Sequence, residues 1–126
     1  MIKSRILVVD DEPNLSGIVR LFLEKTQRFE VRVENRSALA LAAALEFSPE
    51  LVLLDVDMPG KDGGDVAAEI QAEPTLRGVP IVFLTSMVSA AEAGVRGGMY
   101  FLSKPVGLKS LIETVDRMLA GGVPVA

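Results

Sequence analysis

The side chains that could carry out chemistry in this chain stand directly after short apolar runs. Four such runs are followed by carboxylates, hydroxyls or an ammonium group: Asp10, Asp11, Glu12, Asp55, Asp57, Thr85, Ser86, Ser103 and Lys104. If the runs are parallel strands, their carboxyl ends meet at one rim of a sheet, where open α/β sheets bind ligands. Three carboxylates crowded at that rim repel one another unless a cation neutralises them. Oxygen-only ligation of this kind suits Mg²⁺, for which Mn²⁺ can substitute.

A cation and a lysine at the same rim would together stabilise a bound phosphoryl group, and a carboxylate can serve as its nucleophile. Each motif alone has a simpler interpretation. Acidic residues before Pro13 complement the dipole of a helix N-terminus, Thr85 can cap the next helix, and Lys104 before Pro105 fits a solvated loop. Because all of these residues fall at predicted strand ends, we interpret them as one site.

The composition excludes several other chemistries. The 126 residues include no cysteine and no histidine, which excludes disulfides, metal ligation by either residue and nucleophile pairs that need them. A formal charge of −4 argues against direct binding of nucleic acid. The apolar runs at residues 6–9, 51–54 and 81–84 are too short for a signal peptide or a membrane span. We therefore expect a cytoplasmic protein that does not bind membranes.

Five apolar runs predict β-strands, with helical patterns between them. The predicted strands are residues 6–9, 31–33, 51–54, 81–84 and 100–102. Three are almost continuously apolar, as expected of parallel strands covered on both faces, whereas polar neighbours place the second at an edge. The predicted helices begin at Pro13, at Ser37 as a cap, near Val66, after Ser86 and near Leu108. This alternation favours an α/β fold with helices on both faces of a parallel sheet.

One domain accounts for the whole pattern. We expect it to span residues 1–121, with 122–126 as a C-terminal tail or the start of a truncated linker. The segment Glu34-Asn35-Arg36 after the second strand is interpreted as an ordinary surface turn.

Four sequence motifs together resemble one protein family. They are Ile-Leu-Val-Val-Asp-Asp-Glu at 6–12, Leu-Leu-Asp-Val-Asp-Met-Pro-Gly-Lys-Asp-Gly at 53–63, Leu-Thr-Ser at 84–86 and Lys-Pro at 104–105. With 45 residues from Asp10 to Asp55 and 30 from Asp55 to Thr85, they resemble the receiver domain of bacterial response regulators. The resemblance covers essentially the whole chain. It implies a flavodoxin-like (βα)5 three-layer sandwich whose five-stranded parallel sheet has the order 2-1-3-4-5.

The resemblance implies a role for each acidic residue. Asp55 is expected to accept a phosphoryl group in a Mg²⁺-dependent reaction, with Mg²⁺ held by Asp10, Asp11, Asp55 and the backbone carbonyl of Asp57. Because the chain has no histidine, the phosphohistidine donor must belong to a partner, a sensor histidine kinase or a phosphotransfer protein. Enzymatic activity would be limited to self-phosphorylation from a phosphodonor and autodephosphorylation.

The resemblance also implies how the signal leaves the site. Thr85 and Lys104 would contact phosphoryl oxygens and move toward them on phosphorylation, and the bond before Pro105 is expected to be cis. Phe101 is the expected aromatic switch residue, although a tyrosine is common there and Tyr100 should face the other side of the sheet. The signal would pass to a downstream effector or to a missing output domain, and phosphorylation-dependent dimerisation is an open alternative.

The segment between Thr85 and Lys104 departs from the family pattern. It spans 19 residues, which is about one helical turn shorter than the family pattern. Gly94, Gly97 and Gly98 lie within it. We therefore expect a short or shifted fourth helix. Whether the chain uses the family's usual output surface is left undecided by the sequence.

Two other functions fit part of the sequence. Asp55-Val56-Asp57 also resembles the Asp-x-Asp motif of haloacid-dehalogenase-type phosphatases, which would make the chain a Mg²⁺-dependent phosphohydrolase. That family has the motif on its first strand, however, and no cap domain is present here. A non-phosphorylated interaction module on the same fold is the other alternative, but such modules usually lack one of the motif residues that this chain retains. Nucleotide binding is disfavoured because no glycine-rich phosphate loop follows the first strand.

Asp57 adds a negative charge close to the expected phosphoryl group, although an isolated exposed acid is often only a solvated loop residue. If the charge acts on the site, Asp57→Asn should weaken Mg²⁺ binding and change the dephosphorylation rate. Comparing the dephosphorylation rates of the wild type and this variant tests the hypothesis. Equal rates would refute it.

Overall fold

Strands and helices alternate along the chain, as its apolar pattern predicts. The computed structural model describes residues 2–86, 94–96 and 99–121. The strands are β1 (Ser4–Val9), β2 (Phe29–Glu34), β3 (Leu51–Asp55), β4 (Ile81–Thr85), β5 (Gly94–Arg96) and β6 (Met99–Ser103). The helices are α1 (Pro13–Glu24), α2 (Ala40–Phe47), α3 (Gly63–Ala72) and α4 (Leu108–Leu119). None of the described helices is long and apolar enough to cross a membrane.

The sheet has the strand order β2-β1-β3-β4-β6-β5. Its first five members are parallel, so the predicted 2-1-3-4-5 order is confirmed, with β2 at one edge. The three-residue strand β5 adds an antiparallel member beyond β6. The prediction of a helix after Ser86 is therefore wrong for residues 94–96, which form a strand paired with β6. Residues 87–93 of that prediction, and the predicted tail at 122–126, lie outside the described residues.

The core consists of two apolar layers, one on each face of the sheet. Alternate residues of β1 point to opposite faces, so Ile6 and Val8 pack with α1 and α4, while Leu7 and Val9 pack with α2 and α3. All four side chains are fully buried. Burial on both faces explains why the central strands read as continuous apolar runs.

The ends of the helices follow the sequence with one exception. Pro13 stands in the first turn of α1, and Asp62 and Asp65 form a reciprocal capping box at the start of α3. The prediction that Ser37 caps α2 is wrong. A 3₁₀ turn, Ser37–Leu39, precedes α2, so Leu39 rather than Ser37 occupies the position before the helix. Its hydroxyl donates instead to the carbonyl of Pro59 at 3.3 Å.

A glycine brings α3 against the end of β3. The N–H of Gly63 donates to the carbonyl of Val56 at 3.0 Å. A Cβ atom at Gly63 would lie 2.6 Å from the Asp55 carbonyl oxygen and 2.9 Å from the Val56 Cα, closer than such atoms can approach. Only glycine lets the helix pack this tightly on the backbone that carries Asp55.

Replacing Gly63 by alanine should therefore lower the free energy of unfolding by about 1–3 kcal/mol, since the backbone of Asp55 must shift to admit the methyl group. Gly64→Ala is the matched control, because a Cβ at Gly64 meets only the end of the Asp62 side chain, at 3.2 Å. Urea denaturation of both variants measures the difference. Equal stabilities would contradict the steric argument.

Candidate metal centre

The carboxyl ends of the parallel strands bring the predicted polar residues to one rim. Asp10 follows β1, Asp55 ends β3 and Thr85 ends β4, and their side chains are almost completely buried. Lys104 follows β6, and its backbone N–H donates to the backbone carbonyl of Thr85 at 2.9 Å. The peptide bond between Lys104 and Pro105 is cis, as the sequence resemblance implied. The sheet therefore brings Asp10, Asp55, Thr85 and Lys104 to one rim, as the sequence predicted, whereas the side chains of Glu12, Asp57 and Ser86 are exposed.

Three carboxylates form a compact cluster at this rim. One carboxylate oxygen from each of Asp10, Asp11 and Asp55 lies within 4.8 Å of the others. Asp10 Oδ2, Asp11 Oδ1 and Asp55 Oδ2 are buried and have no hydrogen-bond partner among the described residues. A buried carboxylate oxygen without a hydrogen bond is costly, and a cluster this compact could hold a cation that offsets the cost.

The other oxygens of the cluster are held by the backbone. Asp10 Oδ1 accepts a hydrogen bond from the N–H of Glu12 at 3.0 Å. Asp55 Oδ1 accepts one from the N–H of Asp57 at 3.3 Å, while the side chain of Asp57 is exposed. These bonds fix the two carboxylates with one oxygen engaged and the other available to a ligand.

Lys104 supplies the positive charge within the cluster. Its Nζ donates to Asp55 Oδ1 at 2.8 Å. It also lies 3.3 Å from Asp10 Oδ2, as an ion pair without hydrogen-bond geometry. Only 13% of the Lys104 side chain is exposed, so solvent screens these interactions weakly. One ammonium against three carboxylates leaves the cluster two negative charges in excess when all are ionised, which a divalent cation would balance.

Burial and crowding shift the titration of the central pair. Burial raises the pKa of Asp55 to about 6, and the charge of Asp10 adds to the rise. The hydrogen bond from Lys104 and the N–H of Asp57 oppose it. Burial lowers the pKa of Lys104, but its hydrogen bond to Asp55 and the charges of Asp10 and Asp55 more than compensate and raise it. At pH 7 the site is therefore a carboxylate and ammonium pair.

The residues present fit a hard divalent cation. The described cluster offers oxygen ligands alone, and three of its buried oxygens have no hydrogen-bond partner among the described residues. This is the donor set that Mg²⁺ takes, usually with several of its own waters. Asp10, Asp11 and Asp55 could hold it.

Sequence reasoning missed one residue next to the cluster. The Asn35 amide nitrogen donates to the Asp10 carbonyl at 2.7 Å and to Ser16 Oγ at 3.0 Å. The interpretation of the turn after β2 as an ordinary surface turn is therefore wrong. A signal existed, because parallel pairing places Val9 opposite Glu34 and so brings the next residues of both strands to the same rim. Only the target of the amide, a backbone carbonyl, is invisible in a sequence.

The two aromatic residues of β6 lie on opposite faces of the sheet. The rings of Phe101 and Phe83 are stacked with their centroids 5.2 Å apart, on the α2 and α3 face. Tyr100 packs with the α1 and α4 layer, as strand alternation predicted. Phe101 is half-buried, and its contact with β4 links it to the strand that ends at Thr85.

Comparison with known proteins identifies the family. The family model described as the response regulator receiver domain matches residues 6–116, which is most of the chain. The chain is 36% identical over 120 residues to the DNA-binding response regulator MtrA of Mycolicibacterium smegmatis, covering 93% of this chain and 51% of MtrA. It is 37% identical over 108 residues to the response regulator PleD of Caulobacter vibrioides, covering 82% of this chain and 23% of PleD.

A solved structure supports the same assignment. The chemotaxis response regulator CheY4 of Vibrio cholerae superposes with a TM-score of 0.80 at 25% sequence identity, over 92% of this chain and 98% of CheY4. Fold, strand-end acidic cluster and family match agree with one another. The chain belongs to the response regulator receiver domain family, whose role is phosphoacceptor signalling in two-component systems. It spans about half the length of the MtrA relative it matches.

The raised pKa of Asp55 predicts how stability depends on pH in the absence of divalent cations. The unfolded carboxyl loses its proton near its ordinary pKa of 3.8, and the folded one near 6. Stability contributed by the protonated form is therefore complete below about pH 4 and lost as the pH rises to about 6. Asp55→Asn removes this loss, and should raise the free energy of unfolding at pH 7 by on the order of 1 kcal/mol.

Urea denaturation at several pH values between 4 and 7, with a chelator present, measures the effect. The gain in Asp55→Asn should vanish toward pH 4. Asp57→Asn is the control, because that side chain is exposed and its loss should leave the profile almost unchanged. A gain that is equal at pH 4 and pH 7 would contradict the electrostatic explanation.

Proposed function

We propose that this chain accepts a phosphoryl group on Asp55 in a Mg²⁺-dependent reaction. The observation that carries the proposal is Oδ2 of buried Asp55, which has no hydrogen-bond partner among the described residues. It belongs to a cluster with Asp10 and Asp11, each of which has one buried oxygen in the same condition, and with one ammonium group. A structural ion pair alone would not explain three buried carboxylate oxygens that lack a hydrogen-bond partner. A cation and an incoming phosphoryl group together would use them.

Asp10, Asp11 and Asp55 would hold Mg²⁺, with the backbone carbonyl of Asp57 as a further ligand. When bound, the cation would neutralise charge on the transferring phosphoryl oxygens. The Asp55 carboxylate attacks phosphorus as the nucleophile, and its pKa of about 6 leaves it ionised at neutral pH. The bond from phosphorus to the histidine nitrogen breaks, the nitrogen keeps the electron pair, and it takes up a proton.

Lys104 and Thr85 would receive the phosphoryl group. In the unphosphorylated chain the ammonium of Lys104 is bound to Asp55 Oδ1, so it already stands beside the acceptor. After transfer it would pair with a phosphoryl oxygen, and the Thr85 hydroxyl would contact another. Thr85 ends β4, so this contact would act on the strand that stacks Phe83 against Phe101. Phe101 would report the change by steric repacking, since it has no hydroxyl group.

The phosphoryl donor would be a phosphohistidine of a partner protein, because the chain contains no histidine. A sensor histidine kinase or a phosphotransfer protein in the cytoplasm would supply it. The reaction ends when water attacks phosphorus and releases inorganic phosphate and free Asp55. The only catalysis proposed is thus self-phosphorylation and autodephosphorylation.

The proposed domain at residues 1–121 includes every described strand and helix. MtrA, which is about twice as long, is described as DNA-binding, and an equivalent output in this case would belong to a longer regulator or to a separate effector. The acidic receiver domain would act on that output through its conformation rather than by touching nucleic acid itself.

Intact mass spectrometry tests the acceptor directly. Incubation with acetyl phosphate and Mg²⁺ should add one phosphoryl group to the wild type, and a chelator should prevent it. Asp55→Asn should add none, because an amide oxygen is a poor nucleophile. Asp57→Asn, which removes an exposed acid two residues away, should still react.

An adduct in Asp55→Asn, or one that forms without Mg²⁺, would overturn the proposal. If the wild type shows no adduct, inorganic phosphate release from the same donor distinguishes rapid hydrolysis from inactivity. Absence of both products would leave only the interaction-module alternative.

A further inference from the structure

We propose that Asn35 and Ser37 are positioning residues of the metal centre. They belong to the segment between β2 and α2, hereafter the β2–α2 segment (residues 35–39). Asn35 is bonded to the loop that carries Asp10 and Asp11, and Ser37 is bonded to the loop that follows Asp57. The inference rests on the proposed Mg²⁺ site and concerns how tightly that site is held.

Asn35 bridges the end of β1 to the first turn of α1. Its amide nitrogen has two donors, and each has an acceptor: the Asp10 carbonyl at 2.7 Å and Ser16 Oγ at 3.0 Å. Ser16 is 1% exposed, and its own hydroxyl is within 3.2 Å of the carbonyls of Glu12 and Pro13. The two anchors of Asn35 therefore flank Asp11 in the chain. Holding both limits the backbone movement of Asp11, whose Oδ1 is unpaired.

The strand beneath reinforces this bridge. The N–H of Asp10 donates to the carbonyl of Glu34 at 3.2 Å, which continues the β1–β2 ladder to the rim. Asn35 then bonds to the carbonyl of the same Asp10. Both backbone polar groups of a predicted metal ligand are thus held by consecutive residues of the neighbouring chain segment.

Ser37 reaches the other metal-binding loop. Its hydroxyl donates to the carbonyl of Pro59 at 3.3 Å. Pro59 comes two residues after Asp57, the proposed carbonyl ligand, and just before Gly60, whose φ of +79° turns the chain. The β2–α2 segment is therefore bonded to both loops that must approach a cation from different strands.

A metal site depends on this kind of support. Mg²⁺ requires near-ideal octahedral geometry with ligands about 2.0–2.1 Å away, so small loop displacements lower its affinity. Changes to residues that orient ligands typically weaken metal affinity by about 10–100-fold. If the bonds of Asn35 served only to satisfy buried polar groups, their loss would lower the stability of the fold and leave metal affinity unchanged.

The test is the Mg²⁺ dissociation constant, measured by calorimetry on the unphosphorylated chain. Asn35→Ala should raise it about 10-fold and Ser37→Ala by a smaller factor. Ala38→Ser is the matched control, since Ala38 is exposed and uncharged in the same segment, and its dissociation constant should equal that of the wild type. With acetyl phosphate, the phosphorylation rate of both positioning variants should return toward the wild-type rate at saturating Mg²⁺.

Each outcome assigns the failure to one of the two proposals. Mg²⁺ binding that Asp11→Asn abolishes but Asn35→Ala and Ser37→Ala leave unchanged would overturn this inference and keep the proposed function. Absence of Mg²⁺ binding by the wild type would instead overturn the proposed function. A phosphorylation rate that stays low at saturating Mg²⁺ would show damage to the acceptor rather than to metal positioning. If Asn35→Ala does not fold, the dissociation constant of Ser37→Ala decides alone.

Discussion

The crowding of three carboxylates, two of them buried, beside one ammonium group is the interaction on which the rest of the structure depends. At an effective dielectric constant of about 20, two unit charges about 5 Å apart repel by roughly 3 kcal/mol. The net stability of a whole domain is only about 5–15 kcal/mol, so the cluster is expensive. Lys104 offsets part of the repulsion through Asp55 and Asp10, and Asp11 Oδ1 and Asp55 Oδ2 have neither a hydrogen bond nor an ion pair among the described residues. The fold tolerates this because the strands beneath are covered by apolar layers on both faces.

The parallel sheet determines which residues meet, while specific local contacts determine how closely. Each parallel strand delivers its last residue or the next one to the same rim, so Asp10, Asp55 and Thr85 come together although they are far apart in sequence. Finer placement comes from outside the sheet. Gly63 lets α3 contact the backbone of Asp55, and Asn35 ties the Asp10 carbonyl to α1. A site of this type is therefore sensitive to residues that never touch a ligand.

Sequence reasoning succeeded where a residue's position follows from periodicity and failed where it follows from a single hydrogen bond. The ends of the strands can be located from the apolar runs, which is why the acidic cluster and Lys104 could be predicted. Strand alternation correctly placed Tyr100 and Phe101 on opposite faces of the sheet. The target of Asn35 is a carbonyl 25 residues away, and no pattern encodes it. Ser37 is an ordinary helix-cap residue in sequence terms, yet a 3₁₀ turn moved the helix start and freed its hydroxyl for Pro59. The glycines before β6 signalled an irregular helix, whereas the backbone of residues 94–96 pairs with β6 as a strand.

The electrostatic cost of the site is also what makes it responsive. Because the cluster carries excess negative charge when all its carboxylates are ionised, a divalent cation would bind the folded chain better than the unfolded chain. It would thereby add to stability by mass action. Transfer of a phosphoryl group would then change the partner of Lys104 from Asp55 to the new group, at the end of the strand next to Phe101. If the charges at this rim were already balanced, neither cation binding nor phosphoryl transfer would change the electrostatic free energy of the site by much. The charge imbalance of the unphosphorylated site would therefore supply the free-energy difference that a signalling switch requires.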